Sequence, residues 1–140
     1  MGDERTLALI KPDVSGDAAA VAQIRQSIKS AGLHIVREER KRLTVEQAED
    51  NYAEYREKRF FPVLVEFITS GDVVAMELEG PGARLVWRTM MGPTVPDKAR
   101  QYAPESLRAL FGTQPPRNAV HGSDDEPEIA ERELKIMFGL

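Results

Sequence analysis

The stretch Val73-Val74-Ala75-Met76-Glu77-Leu78 constrains the fold most. It is rich in β-formers and nearly all apolar, with Gly71-Asp72 before it and Gly80-Pro81-Gly82 after it. Such a run, bounded by turn residues, reads as a central strand. Thr6-Leu7-Ala8-Leu9-Ile10 is a second apolar run and reads as a buried strand, stopped by Lys11-Pro12-Asp13. A lysine at the tip of a buried strand is placed either to reach into a site or to be solvated.

Helical periodicity fills the space between the strands. Asp17 caps a helix to Ala31 with Val21, Ile24, Ile28 and Ala31 on one face, and Gly32 suits its stop. A strand from Leu33 to about Leu43 holds Arg37-Glu38-Glu39-Arg40-Lys41-Arg42. Mixed charge of this kind fits a solvated edge strand better than a nucleic-acid patch. Thr44 and Gln47 form a capping box opening a polar helix to about Tyr55. Arg56 to Arg59 make a charged link. Phe60, Phe61, Leu64, Phe67 and Ile68 then recur at helical spacing, mostly as core, with Phe60 at the helix start free to face a ligand. A helix from Ala83 to Met91 ends at Gly92-Pro93. A long loop to about Pro116 follows, with a helical turn near Pro104 to Leu110; loops of this length are usually functional or disordered. Asn118 to His121 reads as the last strand. Asp124-Asp125-Glu126-Pro127 opens the last helix, which buries Ala130, Leu134, Met137 and Phe138 and carries Glu133 beside that face.

The order is β-α-β-α-α-β-α-loop-β-α. Without its extra helices it contains βαββαβ, the split pattern of the ferredoxin-like α/β (α+β) fold. That fold predicts a four-stranded antiparallel sheet with helices on one face. The 140 residues fit a single domain over 1–140 with a real core.

Composition removes several functions. A net charge of −4 argues against a chain built to coat nucleic acid. The absence of cysteine excludes disulfides, thiolate metal sites and cysteine nucleophiles. No apolar stretch approaches the ~20 residues of a membrane span. Met1-Gly2-Asp3-Glu4-Arg5 shows no signal-peptide pattern. Cytoplasmic residence is the expectation.

Of the two histidines, His34 follows a helix stop and reads as structural. His121 sits in Arg117-Asn118-Ala119-Val120-His121-Gly122-Ser123-Asp124, at the end of a strand and before a polar turn. A neutral imidazole attacks phosphorus through one ring nitrogen when an acceptor holds the proton of the other. Glu133 is a candidate acceptor, and Ser123 a candidate to orient Glu133. Lys11, Arg59, Arg88, Arg108 and Arg117 fall at strand ends or near loops, where convergence would make an anion site. Neither the Walker pattern nor the G-x-G-x-x-G fingerprint is present, so phosphate would be held by side chains.

These stretches resemble the nucleoside diphosphate kinases over essentially the whole chain. The resemblance rests on Glu4-Arg5-Thr6-Leu7 with Ile10-Lys11-Pro12-Asp13, Arg59-Phe60-Phe61, Ser70-Gly71 with Val73-Val74-Ala75-Met76, Arg88-Thr89-Met90-Met91-Gly92-Pro93-Thr94, and the specific signature around His121. It implies a ping-pong transfer between nucleoside tri- and diphosphates, with His121 transiently phosphorylated on Nδ1. Glu133 would hold the other ring nitrogen, assisted by Ser123. Lys11, Tyr52, Arg88, Thr94, Arg108 and Asn118 would contact phosphates and sugar, and Phe60 and Leu64 the base. Mg²⁺ would ride on the nucleotide rather than on a protein cage. A homo-oligomer is implied; membrane and specific nucleic-acid partners are not. The chain departs from the family at Val14-Ser15-Gly16-Asp17-Ala18. The Thr94 to Arg108 loop is about three residues longer than usual, and the last helix is reached about one residue late. The loop looks like that of a divergent subgroup. Two rivals are a module of the same fold without turnover and a ferredoxin-like RNA binder. The latter needs strand aromatics and a basic face, and the sequence offers neither.

Overall fold

The computed structural model describes residues 3–139, so Met1 and Gly2 of the opening stretch lie outside it. Strands β1 (Glu4–Ile10), β2 (His34–Lys41), β3 (Val73–Gly80) and β4 (Val120–Gly122) form one sheet, ordered β2-β3-β1-β4. Each neighbouring pair is antiparallel, and Ile10 stands opposite both Val74 and Val120. This is the ferredoxin-like arrangement that the element order predicts. β3 is central and β2 is an edge, as their patterns require.

Helices cover both faces of the sheet, which corrects the one-face expectation. The physical reason lies in β1 and β3, which are apolar at successive positions and so expose hydrophobic surface on either side. Ala8, Ile10, Val74, Met76 and Leu78 face α2 (Ala18–Ser30) and α5 (Ala83–Met91), where Ile24, Ile28 and Trp87 are buried. Leu7, Leu9, Val73 and Ala75 face the other way, onto α3 (Val45–Asn51), α4 (Phe61–Ile68) and α8 (Pro127–Phe138) through Ala48, Ile68, Leu134 and Met137. Each buried Val, Leu, Ile or Met side chain contributes about 1.5–3 kcal/mol. Glu77 is the charged residue that β3 buries. Its two oxygens take Arg5 and Arg37 at 2.8 Å each.

The local signals hold at most boundaries. Asp17 caps α2 by accepting from Ala20 N, and the Thr44–Gln47 capping box starts α3. α1 (Pro12–Ser15) is a single turn that carries the chain from β1 to α2.

Three boundaries differ. The expected long loop contains two helices, α6 (Pro96–Tyr102) and α7 (Leu107–Phe111). Pro96 occupies the first turn of α6, and the Ser106 hydroxyl caps α7 by accepting from Ala109 N. Arg100 donates to the carbonyl of Gly112 at 3.1 Å and so holds α6 against the end of α7. The last strand starts at Val120 rather than Asn118, because Ala119 has φ 75° and cannot extend a ladder. The polar helix ends at Asn51 rather than near Tyr55, with a separate 3-10 turn over Ala53–Tyr55. The last helix starts at Pro127, within the Asp124–Pro127 stretch expected to open it, after Glu126 in extended backbone.

Candidate active site

The strand end that carries His121 is held in an unusual turn. Ala119 has a left-handed φ of 75°, and Val120 N donates to Asn118 O at 2.9 Å across it. That is a γ-turn with positive φ, a strained form that persists only where its surroundings enforce it. Here β1 and α1 enforce it. Asp13 Oδ2 accepts from Ala119 N at 3.0 Å, and Ala119 O accepts from Lys11 N at 2.8 Å. The turn sends Asn118 towards Lys11 and sets His121 at the start of the cleft wall.

His121 is tied on three sides. Its Nε2 lies 3.2 Å from Glu133 Oε1, which also accepts from Ser123 Oγ at 2.9 Å. Glu133 projects from α8 and is 2% exposed. The Tyr52 ring meets the imidazole edge-on at 5.3 Å. The His121 carbonyl accepts from Trp87 Nε1 at 3.2 Å. Gly122 permits that approach, since a Cβ there would stand 2.4 Å from Trp87 Cδ1. A carboxylate at Nε2 favours the tautomer with its proton there, which leaves the Nδ1 lone pair free.

The cleft in front of His121 has a volume of about 500 Å³, within the range of small-molecule sites. Its inner part is cationic. Lys11 is 4% exposed, with Nζ donating at 2.7 Å to both Asn118 Oδ1 and Pro116 O. Burial lowers the Lys11 pKa to about 8; Asp13 opposes this and Arg108 adds to it. Arg108 is aimed by its own two bonds, to Gly92 O and Val120 O at 3.0 Å each, while its buried Nε has no partner among the described residues. Burial first, and Arg88 next, lower its pKa to about 10, so it stays charged at neutral pH. Arg88 reaches from α5 to Asp124, 3.2 Å away. Asn118 is fixed from its other end by donating to Thr94 O at 2.9 Å.

The outer part of the cleft is apolar. Phe60, 48% exposed, lines it with Val63, Leu64, Val95 and Pro115. An exposed aromatic beside aliphatic side chains is a surface for a flat ring rather than a core remnant.

The site residues implied by the family resemblance meet here. Lys11, Tyr52, Phe60, Leu64, Arg88, Thr94, Arg108, Asn118, His121 and Glu133 line the cleft. Ser123 stands behind it, bonded to Glu133. Glu133 lands beside His121 although α8 starts three residues past Asp124. Arg59 and Arg117 do not line the cleft; Arg117 lies over the Phe67 ring at 5.2 Å instead. His34 is exposed at the start of β2, away from the cleft. The sequence reading left out Asn51 and the turn-holding role of Asp13. Both are polar residues at element ends, and only their burial separates them from ordinary caps and turns.

A histidine with one nitrogen committed to a buried carboxylate, facing three cations and an apolar slot, is the equipment of a nucleotide phosphoryl-transfer protein. Comparison with known proteins agrees. The family model described as nucleoside diphosphate kinase matches residues 4–140. The nucleoside diphosphate kinase of Deinococcus radiodurans is 46% identical, covering 97% of this chain and 95% of its own. That of Rubrobacter xylanophilus is also 46% identical, over 97% and 98%. A crystal structure of the Aquifex aeolicus nucleoside diphosphate kinase superposes with a TM-score of 0.91 at 42% identity, covering 98% of this chain and 96% of that one. The Halobacterium salinarum enzyme, solved in complex with CDP, gives 0.87 at 39% identity, covering 97% and 88%. The chain belongs to the nucleoside diphosphate kinase family.

Proposed function

We propose that this protein transfers the γ-phosphoryl group of a nucleoside triphosphate to a nucleoside diphosphate through a phosphohistidine on His121, in a ping-pong cycle that maintains nucleotide pools. The observation that carries the reading is the Nε2–Glu133 hydrogen bond of 3.2 Å in front of a cationic cleft. In the first half-reaction the Nδ1 lone pair attacks the γ-phosphorus. The bond to the β–γ bridging oxygen breaks, and the diphosphate leaves with that oxygen. The imidazole gains positive charge as the N–P bond forms, and the Nε2–H bond to Glu133 offsets it. An oxygen of the acceptor diphosphate then attacks the same phosphorus, and the N–P electron pair returns to the ring. Lys11, Arg88 and Arg108 face the oxygens of the transferring group, where most phosphoryl-transfer catalysis lies.

Tyr52, Thr94 and Asn118 take sugar and phosphate, and Phe60 and Leu64 take the base. Stacking and apolar contact tolerate every base because every base has a π-face. Magnesium fits this site as a passenger on the nucleotide. The cleft carboxylates are already engaged, Glu54 with Arg132, Asp124 with Arg88 and Glu133 with His121 and Ser123. Phosphate oxygens and water would therefore supply most of its ligands, and its charge would neutralise the phosphates. Residues 1–140 form one domain in this reading. A homo-oligomer and cytoplasmic residence belong to the proposal on the family resemblance; among the described residues no helix is long and apolar enough to cross a membrane.

The test is transfer of label. Protein incubated with γ-labelled ATP and Mg²⁺ acquires acid-labile label, which moves to GTP when GDP is added. His121→Ala loses the label and at least about 10³-fold in transfer rate. Label retained in that variant sinks the reading.

A further inference from the structure

Asn51 is the last residue of α3 and is 1% exposed. Its amide nitrogen lies 3.3 Å from His121 Nε2, and its Oδ1 is buried without a partner among the described residues. The same Nε2 faces Glu133 Oε1 at 3.2 Å. These contacts conflict. If Nε2 carries the proton that Glu133 accepts, an N–H of Asn51 would point at an N–H of the ring. The two ends of a side-chain amide have nearly the same shape, and the hydrogen-bond network decides which end faces a neighbour. Turning the amide by half a rotation puts Oδ1 on Nε2–H and removes the conflict.

We propose that Asn51 is a positioning residue for His121, its side-chain carbonyl sharing the Nε2–H with Glu133 and thereby holding the ring in the tautomer whose Nδ1 is nucleophilic. The proposal rests on the phosphohistidine reading above. Two acceptors around one N–H exclude the opposite tautomer more strongly than one does. They also fix the ring plane from two elements, because Asn51 arrives on α3 and Glu133 on α8. Those helices are joined independently. Gln47 of α3 donates to Ile136 O of α8 at 3.4 Å, and Leu134 and Met137 pack in one cluster with Ala48 and Tyr52. The amide adds no charge, so it directs the proton without turning the ring into an imidazolium.

Other groups face the same ring. Glu133, held in turn by Ser123, stands at Nε2, and Tyr52 lies on the ring edge. Lys11, Arg88, Arg108 and Asp124 line the cleft in front. None of these duplicates a neutral acceptor at Nε2.

The test uses Asn51→Leu, which keeps the approximate volume, and Asn51→Asp, which keeps an acceptor and adds charge. Circular dichroism and thermal melting establish that each is folded. Single-turnover phosphorylation by ATP is expected to slow about tenfold in Asn51→Leu, the worth of one hydrogen bond to a charged group. The KM for nucleotide is expected to stay within about twofold, since Asn51 meets the ring and not the phosphates. ¹⁵N NMR of His121 should show Nε2–H in the wild-type protein and a rise of Nδ1–H in Asn51→Leu. In Asn51→Asp the acidic limb of the rate profile should move to higher pH, because a second carboxylate favours the protonated ring. A folded Asn51→Leu with wild-type rate and ¹⁵N pattern, or a wild-type ring resting as Nδ1–H, overturns the proposal. Failure of the wild-type protein to take label at all would instead overturn the phosphohistidine reading.

Discussion

At the scale of single residues, Lys11 combines the clearest sequence signal with the strongest structural consequence. A lysine at the end of an apolar run is visible in the sequence; its burial between Asn118 Oδ1 and Pro116 O is not. Burial lowers its pKa from the ordinary 10.5 to about 8. Its charge is therefore present below about 8 and lost above it, so kcat/KM should fall on the alkaline side as pH passes that value. A pH–rate profile checks this, with Lys11→Arg as control. Arginine stays charged, so the alkaline limb should disappear in Lys11→Arg even though the rate is lower. A limb unchanged in that variant would assign it to another group. The same shift acts on stability. Between about 8 and 10.5 the unfolded chain binds a proton that the folded chain has released, so this residue's contribution favours the fold increasingly as pH rises. Asp13 shows the opposite legibility. In sequence it is a turn residue after a proline. In the structure its Oδ2 holds Ala119 N in the γ-turn, and burial, ahead of the opposing Ala119 bond and Lys11, raises its pKa.

At the scale of elements, the strands and long helices were legible because their hydrophobic periods are clean. β3, α2 and α5 agree with the reading to within a residue or two. α6 and α7 were not, because they are short and bury little. α6 turns Pro96 and Ala99 inward and α7 turns Leu107 and Ala109 inward, which leaves no apolar stripe to detect. Their order comes from the local Ser106 cap and from the Arg100 bond to Gly112 O, which joins the two helices across a separation that no local pattern announces. α3 is the element whose ends matter most. Its capping box fixes one end and presents Asn51 and Tyr52 at the other. Thr44→Ala should lower unfolding free energy by about 1 kcal/mol, the usual value of an N-cap side chain. A urea titration measures the shift, and an unchanged midpoint would mean that packing on α8 alone holds the helix.

At the scale of the whole molecule, the cleft is a meeting place of distant segments. β1 contributes the neighbourhood of Lys11, α3 and α4 the Asn51, Tyr52 and Phe60 side, α5 and α7 the arginines, and β4 and α8 the His121–Glu133 pair. Lys11, Arg88 and Arg108 repel one another there until an anion enters, so a ligand should stabilise the fold globally rather than locally. At an ADP–Mg²⁺ concentration of 100 times its Kd, stabilisation of about 2.7 kcal/mol is expected. Calorimetry should show a higher Tm that depends on nucleotide concentration; a Tm indifferent to ADP would contradict a cleft that binds diphosphates. By itself the sequence determined the strand and helix order, the ferredoxin-like class, the family, and the identities of Lys11, Arg88, Arg108, Asn118, His121 and Glu133 as candidates. These are written in local periodicity and in residue types whose chemistry is distinctive. The tertiary structure alone decided that helices cover both faces of the sheet, that Arg59 and Arg117 stay out of the cleft, and that Asp13 and Asn51 belong beside it. Those outcomes depend on burial and on directions of approach between segments remote in the chain, and neither quantity is carried by any short stretch of sequence.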